Sequence, residues 1–171
     1  MNVLTRVEQE GAYSNLLLRR VLEQTPLGRA DAALATELVY GTLQRLNTLD
    51  YWLNLFVTKG IGKLEPWVRN LLRLSLYQLK YLNRIPAHAA VNEAVQLAKR
   101  KGHRGISGMV NAVLRSVIRE PGKLELPQAA TPELRISLQH SHPEWLVSRW
   151  IRQYGESVAE EICAANNVPP Q

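Results

Sequence analysis

The chain has 171 residues, of which 46% are hydrophobic and 21% charged, close to the composition of ordinary globular proteins. Its longest apolar runs, at 32–35 and 162–165, are four residues long, whereas a membrane-spanning helix needs about 20. The first ten residues lack the apolar stretch of a secretory signal, and the single Cys163 permits no internal disulfide. These features predict a cytoplasmic protein without a membrane segment.

The net charge of +6 is distributed unevenly along the chain. Residues 1–62 have a net charge of 0, residues 63–123 have +9 and residues 124–171 have −3. A strongly basic segment favours a polyanionic partner, and nucleic acid is the most common one. A solvated, lysine-rich helix face is the alternative that charge alone leaves open.

The sequence predicts an all-α protein. Period-two alternation, the mark of a strand, occurs only in KLELP at 123–127, which ends in proline. Apolar residues instead recur at helical spacing between glycine and proline breaks. The predicted helices span 12–23, 29–57 with a break near Asn47, 66–82, 87–101, 106–117, 133–138, 143–153 and 156–165.

Basic residues form the most informative pattern. Four of them on the helix opened by Pro66 fall within about 60° of arc, because a helix turns by 100° per residue. Further cations follow in the next loop and helix, and acidic residues at the neighbouring helical positions are scarce. Spaced cations of this kind suit a row of phosphates. The predicted phosphate contacts are Arg69, Arg73, Lys80, Arg84, Lys99, Arg100, Lys101, Arg104, Arg115 and Arg119.

Other candidate sites are weak. His140 and His142 lack a third ligand nearby, so no metal site is predicted. The segment GIGK at 60–63 lacks the glycine spacing of a phosphate loop and predicts a plain turn. Glu93 is expected to pair with an arginine and orient a helix rather than act as a general base. Cys163, inside a predicted helix, is interpreted as a small buried hydrophobic residue.

Most of the chain resembles a known family. Three central segments resemble the signature helices of the NusB-like RNA-binding fold, namely RNLLRLSLYQLKYL (69–82), IPAHAAVNEAVQLAKRKG (85–102) and MVNAVLRSV (109–117). The upstream segments AYSNLLL (12–18) and ELVYGTLQRLNTLDYWL (37–53) resemble the variant found in RsmB enzymes, which methylate C5 of cytosine in small-subunit ribosomal RNA. The downstream segments HPEWLVSRWIRQYG (142–155) and ICAANNVPPQ (162–171) resemble the bridge that leads into their catalytic domain.

The resemblance implies a NusB-like helical bundle over residues 1–122, a linker over 123–141 and the helical start of a methyltransferase subdomain over 142–171. It implies ribosomal RNA and a C-terminal methyltransferase domain as partners. The resemblance implies S-adenosylmethionine as the cofactor of the longer enzyme. It implies no cofactor and no catalytic residue for this chain. Within the matching segments the motif residues are Asn92, Glu93 and Asn111, of which Asn92 and Asn111 are expected to position helices or to reach RNA edges. Only Arg6 represents the arginine-rich start usual in NusB-like proteins.

Two other functions remain open from the sequence. One is a stand-alone antitermination factor of the NusB type, although the segment from Pro143 onward would then have no role. The other is a protein-interaction module that docks through apolar surface near Trp145 and Trp150. Such a module would bind RNA weakly, and this weak binding would not depend on the basic residues.

Overall fold

A computed structural model describes residues 29–82, 85–126 and 131–167. These ranges form eight α-helices and two short 3₁₀ turns without any strand, which confirms the predicted all-α class. Each of their helices is too short or too polar to cross a bilayer. The predicted helix at 12–23 lies outside the described residues.

The helices are α1 (Arg29–Gln44), α2 (Leu46–Phe56), α3 (Pro66–Tyr81), α4 (Ala87–Lys101), α5 (Arg104–Arg119), α6 (Pro132–His140), α7 (Glu144–Tyr154) and α8 (Glu156–Asn166), and the turns are Ile61–Lys63 and Pro121–Leu124.

Helix α3 lies at the centre of the larger core and contacts α1, α2, α4 and α5. It begins at Pro66, where a missing N–H costs nothing, as the sequence predicts. Its Leu72 and Leu76 are fully buried against Leu49 and Leu53 of α2 and other core residues. Helix α3 therefore has buried side chains on most of its circumference.

The predicted long helix over 29–57 is divided in two, as expected, but at a different residue. The break lies at Arg45, whose backbone leaves the helical conformation and offers no side-chain cap to α2. Asn47, the expected capping residue, instead donates a hydrogen bond from Nδ2 to the carbonyl oxygen of Ser141, at 3.4 Å. A distant tertiary contact thus replaces the predicted local one.

Helices α4 and α5 follow each other in the chain and pack together through small side chains of α4. Ala90, Ala94 and Ala98 of α4 are buried, and α5 buries a stripe that includes Val110 and Leu114. Small residues let two helices approach closely, which explains why this pair has the most extensive contact in the fold. The buried stripe also fixes which side chains of α5 face outward.

The last three helices form a smaller unit with its own core of Ile136, Val147 and Cys163. Its first helix, α6, matches the helix predicted over 133–138 and lies within the segment 123–141 that the sequence assigns to a linker. Buried Leu138 and the hydrogen bonds between α2 and the end of α6 hold this segment against the bundle. Much of the expected linker is therefore a packed helix, because it buries apolar side chains and satisfies its terminal carbonyl groups there.

Acid should lower the stability of the smaller unit by protonating one carboxylate, that of Glu160. Arg135 of α6 donates hydrogen bonds to Glu160 of α8, at 2.9 and 3.1 Å, and holds the pKa of that carboxyl at about 2. A lowered folded-state pKa contributes stability above the ordinary value of 4.5, which is lost as the pH falls toward 2. We expect a decrease of less than about 1 kcal/mol, because both side chains are about one-third exposed.

Urea unfolding between pH 4.5 and pH 2 measures this contribution. The variant Glu160→Gln should show a shallower acid dependence than the unchanged chain. Glu161→Gln, at the exposed neighbouring position of α8, is the control and should retain the full dependence. Equal acid dependence in all three chains would contradict the assignment.

Candidate RNA-binding surface

The cations of α3 do not form the continuous exposed row that the helical wheel predicts. Arg69 donates hydrogen bonds to the carbonyl oxygens of Ile61 and Leu64, at 3.3 and 3.0 Å, and so closes the turn before α3. The ammonium of exposed Lys80 lies 5.6 Å from the ring centroid of Trp52. Arg84, the last member of the predicted row, lies outside the described residues.

Arg73 is buried in an ion pair, with only 7% of the residue exposed. Its Nε and Nη2 donate to the two carboxylate oxygens of Asp50 in α2, at 2.6 and 2.7 Å. Its Nη1 donates to Oδ1 of buried Asn70, at 2.9 Å. The guanidinium thus links α2 to α3, so the structure gives no support to the expectation that Arg73 contacts phosphate.

A second group of predicted cations is exposed where α4 turns into α5. Gly102 allows the close turn, because a Cβ atom there would lie 3.0 Å from the ring of Trp67. His103 then caps α5, since its Nδ1 accepts a hydrogen bond from the N–H of Gly105, at 3.1 Å. The exposed cations at this turn are Lys99, Arg100, Lys101 and Arg104.

Helix α5 extends this positive surface along its outer face. Arg104, Arg115 and Arg119 fall within about 60° of arc, opposite the buried valines and leucine. Arg115 Nε donates to Oδ1 of Asn111, at 3.0 Å, and Arg119 Nη2 donates to the hydroxyl of Ser116, at 3.1 Å. Both acceptors are neutral, so these two hydrogen bonds do not neutralise the charge of either arginine. We call Lys99, Arg100, Lys101, Arg104, Arg115 and Arg119 the basic surface.

The three motif residues lie in two different environments. Asn111 accepts the hydrogen bond from Arg115 within α5, and its expected role in positioning helices or reaching RNA stays a prediction. Asn92 and Glu93 are exposed on α4 and line a groove of about 520 Å³ between α1, α3 and α4, which Arg100 also borders. No ion pair of Glu93 occurs within the described ranges, so its expected pairing with an arginine stays a prediction.

The remaining candidates show no catalytic arrangement in the described part of the chain. Cys163 is fully buried, and burial raises the pKa of its thiol, which disfavours the nucleophilic thiolate. His140 Nε2 lies 3.5 Å from Glu160, and no three His, Cys, Asp or Glu side chains here could hold a metal. The described residues contain no strand, and therefore no strand, glycine-rich loop and helix in succession.

Two cations that the sequence did not single out lie next to α5. Lys59 follows α2, and Lys123 lies in the turn after α5 with its ammonium 5.6 Å from the ring centroid of Phe56. Lys123 lies in the basic segment 63–123 and Lys59 lies just before it. Neither shares a helical stripe with other cations. The only signal for them was the regional charge.

Comparison with known proteins gives matches at several levels. The model of the NusB family matches residues 1–119, and that of the RsmF/B-like ferredoxin-like domain of methyltransferases matches residues 142–171. Among solved structures, T. maritima NusB superposes with a TM-score of 0.65 at 25% identity, covering 73% of this chain and 91% of that one. These matches agree with a NusB-like bundle followed by the helices α7 and α8.

The curated relatives are longer than this chain. A probable ribosomal RNA small subunit methyltransferase B of Bacillus subtilis is 48% identical over all 171 residues, which correspond to 38% of its length. The ribosomal RNA small subunit methyltransferase B of Thermus thermophilus is 39% identical over 90% of this chain and 34% of its own length. The chain thus spans little more than a third of these relatives. It belongs to the NusB family and corresponds to the NusB-like N-terminal region of the ribosomal RNA small subunit methyltransferases B.

Proposed function

We propose that this chain binds small-subunit ribosomal RNA through its basic surface and supports cytosine-C5 methylation by the longer protein. The chemistry, the S-adenosylmethionine site and the attacking cysteine would lie in the part of the relatives that this chain does not span. A cytoplasmic location, where ribosomal RNA is modified, belongs to the same proposal. Within these 171 residues we assign binding and no catalysis.

The observation that carries the proposal is the exposed positive charge of Arg104, Arg115 and Arg119 within the basic surface. Six exposed cations lie at the end of α4 and along one face of α5. No ion pair between Arg104, Arg115 or Arg119 and a carboxylate occurs in the described residues. By contrast, Arg73 and Arg135, which have structural roles, are held by carboxylates. Cations left without carboxylate partners can bind phosphates and release counterions.

Salt dependence of RNA binding tests the proposal. The double variant Arg104→Gln and Arg115→Gln should bind single-stranded ribosomal RNA fragments more weakly than the unchanged chain. It should also reduce the slope of log affinity against log salt by about 0.7 per lost phosphate contact, or about 1.4 in total. Filter binding or fluorescence anisotropy over a salt series measures both quantities.

A matched control separates the basic surface from general charge. Arg149 and Arg152 are exposed on α7, in the smaller unit, and the double variant Arg149→Gln and Arg152→Gln removes the same charge. It should leave the slope near that of the unchanged chain. Equal slopes for the unchanged chain and the Arg104/Arg115 variant would rule out the basic surface as the RNA-binding site.

The stand-alone antitermination factor is less well supported. The smaller unit is hydrogen-bonded to the bundle and matches a domain model of RNA methyltransferases, features that such a factor does not need. The protein-interaction alternative rests on Trp145, which is 66% exposed, whereas Trp150 packs against the small core. Neither observation favours it over RNA binding.

A further inference from the structure

A cleft of about 370 Å³ opens beside the basic surface. One wall comes from the end of α2 and the following loop, with Phe56, Val57 and Lys59, and the other from Met109 and Ala112 of α5. Volumes of this order hold small flat ligands in proteins. The cleft is mainly apolar, and among the described residues that line it there is no carboxylate.

Positive charge surrounds this apolar cleft. Lys59 lines it directly, and Arg119 reaches it by donating to the hydroxyl of Ser116, another lining residue. The ammonium of Lys123 lies above the Phe56 ring and 3.0 Å from Glu120, the carboxylate that the described residues place against this cation. Three cations against one carboxylate leave the rim positive, which suits an anionic ligand with a flat apolar part.

On these grounds we infer that the cleft binds one unpaired nucleobase of the RNA, with the adjoining phosphates held by Lys59, Arg119 and Lys123. This inference rests on the proposed function. The base would pack against the Phe56 ring and the Met109 side chain, and Lys123 would move from the ring to a phosphate. Single-stranded nucleic acid is commonly held by an aromatic platform beside a cationic track.

The position of the cleft favours RNA over an acidic peptide. Ala112 lies about 20° from Arg119 around α5, so one edge of the cleft adjoins the basic surface. A strand that follows the arginines of α5 would pass the mouth of the cleft. An aromatic ring in the wall adds a surface on which any base can stack, whereas an acidic peptide needs only the charges.

The test compares a short single-stranded RNA with the same RNA carrying abasic riboses at its central positions. The 171-residue chain should bind the base-bearing RNA about tenfold more tightly, as expected for one base–aromatic contact. The variant Ala112→Leu fills the cleft at an exposed helix position without changing charge, and it should abolish this preference. Phe56→Leu, which removes only the ring, should reduce it.

Controls keep the test independent of folding and of the proposed function. Ala164→Leu, the same change at an exposed position of α8, should retain the preference, and circular dichroism checks helix content in each variant. Equal affinity of the unchanged chain for both RNAs, with a normal salt slope, would overturn the nucleobase site but leave RNA binding intact. Failure of the unchanged chain to bind either RNA would overturn both the nucleobase site and the proposed function. An acidic peptide whose binding is blocked by Ala112→Leu, with no preference for bases, would reassign the cleft to a protein partner.

Discussion

Replacing Arg73 with methionine is expected to lower the free energy of unfolding by about 3 kcal/mol. The change keeps most of the apolar stem but leaves the Asp50 carboxylate without its two hydrogen bonds, and removing one partner of a buried ion pair costs about 3–5 kcal/mol. The value lies at the lower end because the Asp50 side chain is 26% exposed and keeps some hydration. Urea unfolding followed by circular dichroism measures the difference.

A second substitution distinguishes the ion pair from simple loss of packing. The double variant Arg73→Met and Asp50→Leu removes the unpaired charge and should recover much of the lost stability, since buried pairs often exchange for apolar groups at little net cost. The salt slope of RNA binding should be unchanged in folded Arg73→Met. Normal stability of Arg73→Met combined with a reduced salt slope of RNA binding would instead indicate that Arg73 contacts phosphate.

Arg73 illustrates what a helical wheel can and cannot predict. The spacing of residues 69–84 correctly predicts a helix, because side-chain direction repeats with the turn of the backbone. It does not reveal that Asp50, 23 residues earlier, lies opposite Arg73 on a neighbouring helix. Pairing across helices depends on how they pack, and that information is absent from local periodicity.

The same reasoning separates the predictable part of the candidate RNA-binding surface from the rest. The cations from Lys99 to Arg104 were predictable because glycine breaks the helix there and turns are exposed. Arg115 and Arg119 were predictable as the face opposite a clear apolar stripe. The cleft was not, because Phe56 and Met109 are separated by 52 intervening residues and meet only in the folded chain.

The position of the smaller unit depends on the C-terminal end of α6. The last carbonyl groups of a helix lack partners within the helix, and here distant side chains supply them. The Thr48 hydroxyl of α2 donates to the carbonyl oxygen of Leu138, at 2.6 Å, and Asn167 Nδ2 donates to that of His140, at 2.7 Å. Ser141 follows in the left-handed conformation, with φ of 54°, and its hydroxyl accepts a hydrogen bond from the Thr48 N–H. These contacts fix α6 against the bundle.

Removal of the Thr48 hydroxyl should therefore loosen the smaller unit. Thr48 is 2% exposed, so Thr48→Val preserves its shape but leaves the buried Leu138 carbonyl without this donor. An unsatisfied buried acceptor costs about 1–3 kcal/mol, and we expect a loss of about 2 kcal/mol in the free energy of unfolding. Hydrogen exchange should show the loss of protection mainly in α6–α8, with little change in α3–α5.

Thr58→Val provides the matched control, because Thr58 is exposed after α2 and makes no such contact. It should leave both stability and exchange close to those of the unchanged chain. If Thr48→Val lowers protection equally in α3–α5 and α6–α8, the two units unfold as one, and the hydroxyl stabilises the whole chain. Selective loss in α6–α8 would identify this contact as the joint between the smaller unit and the bundle.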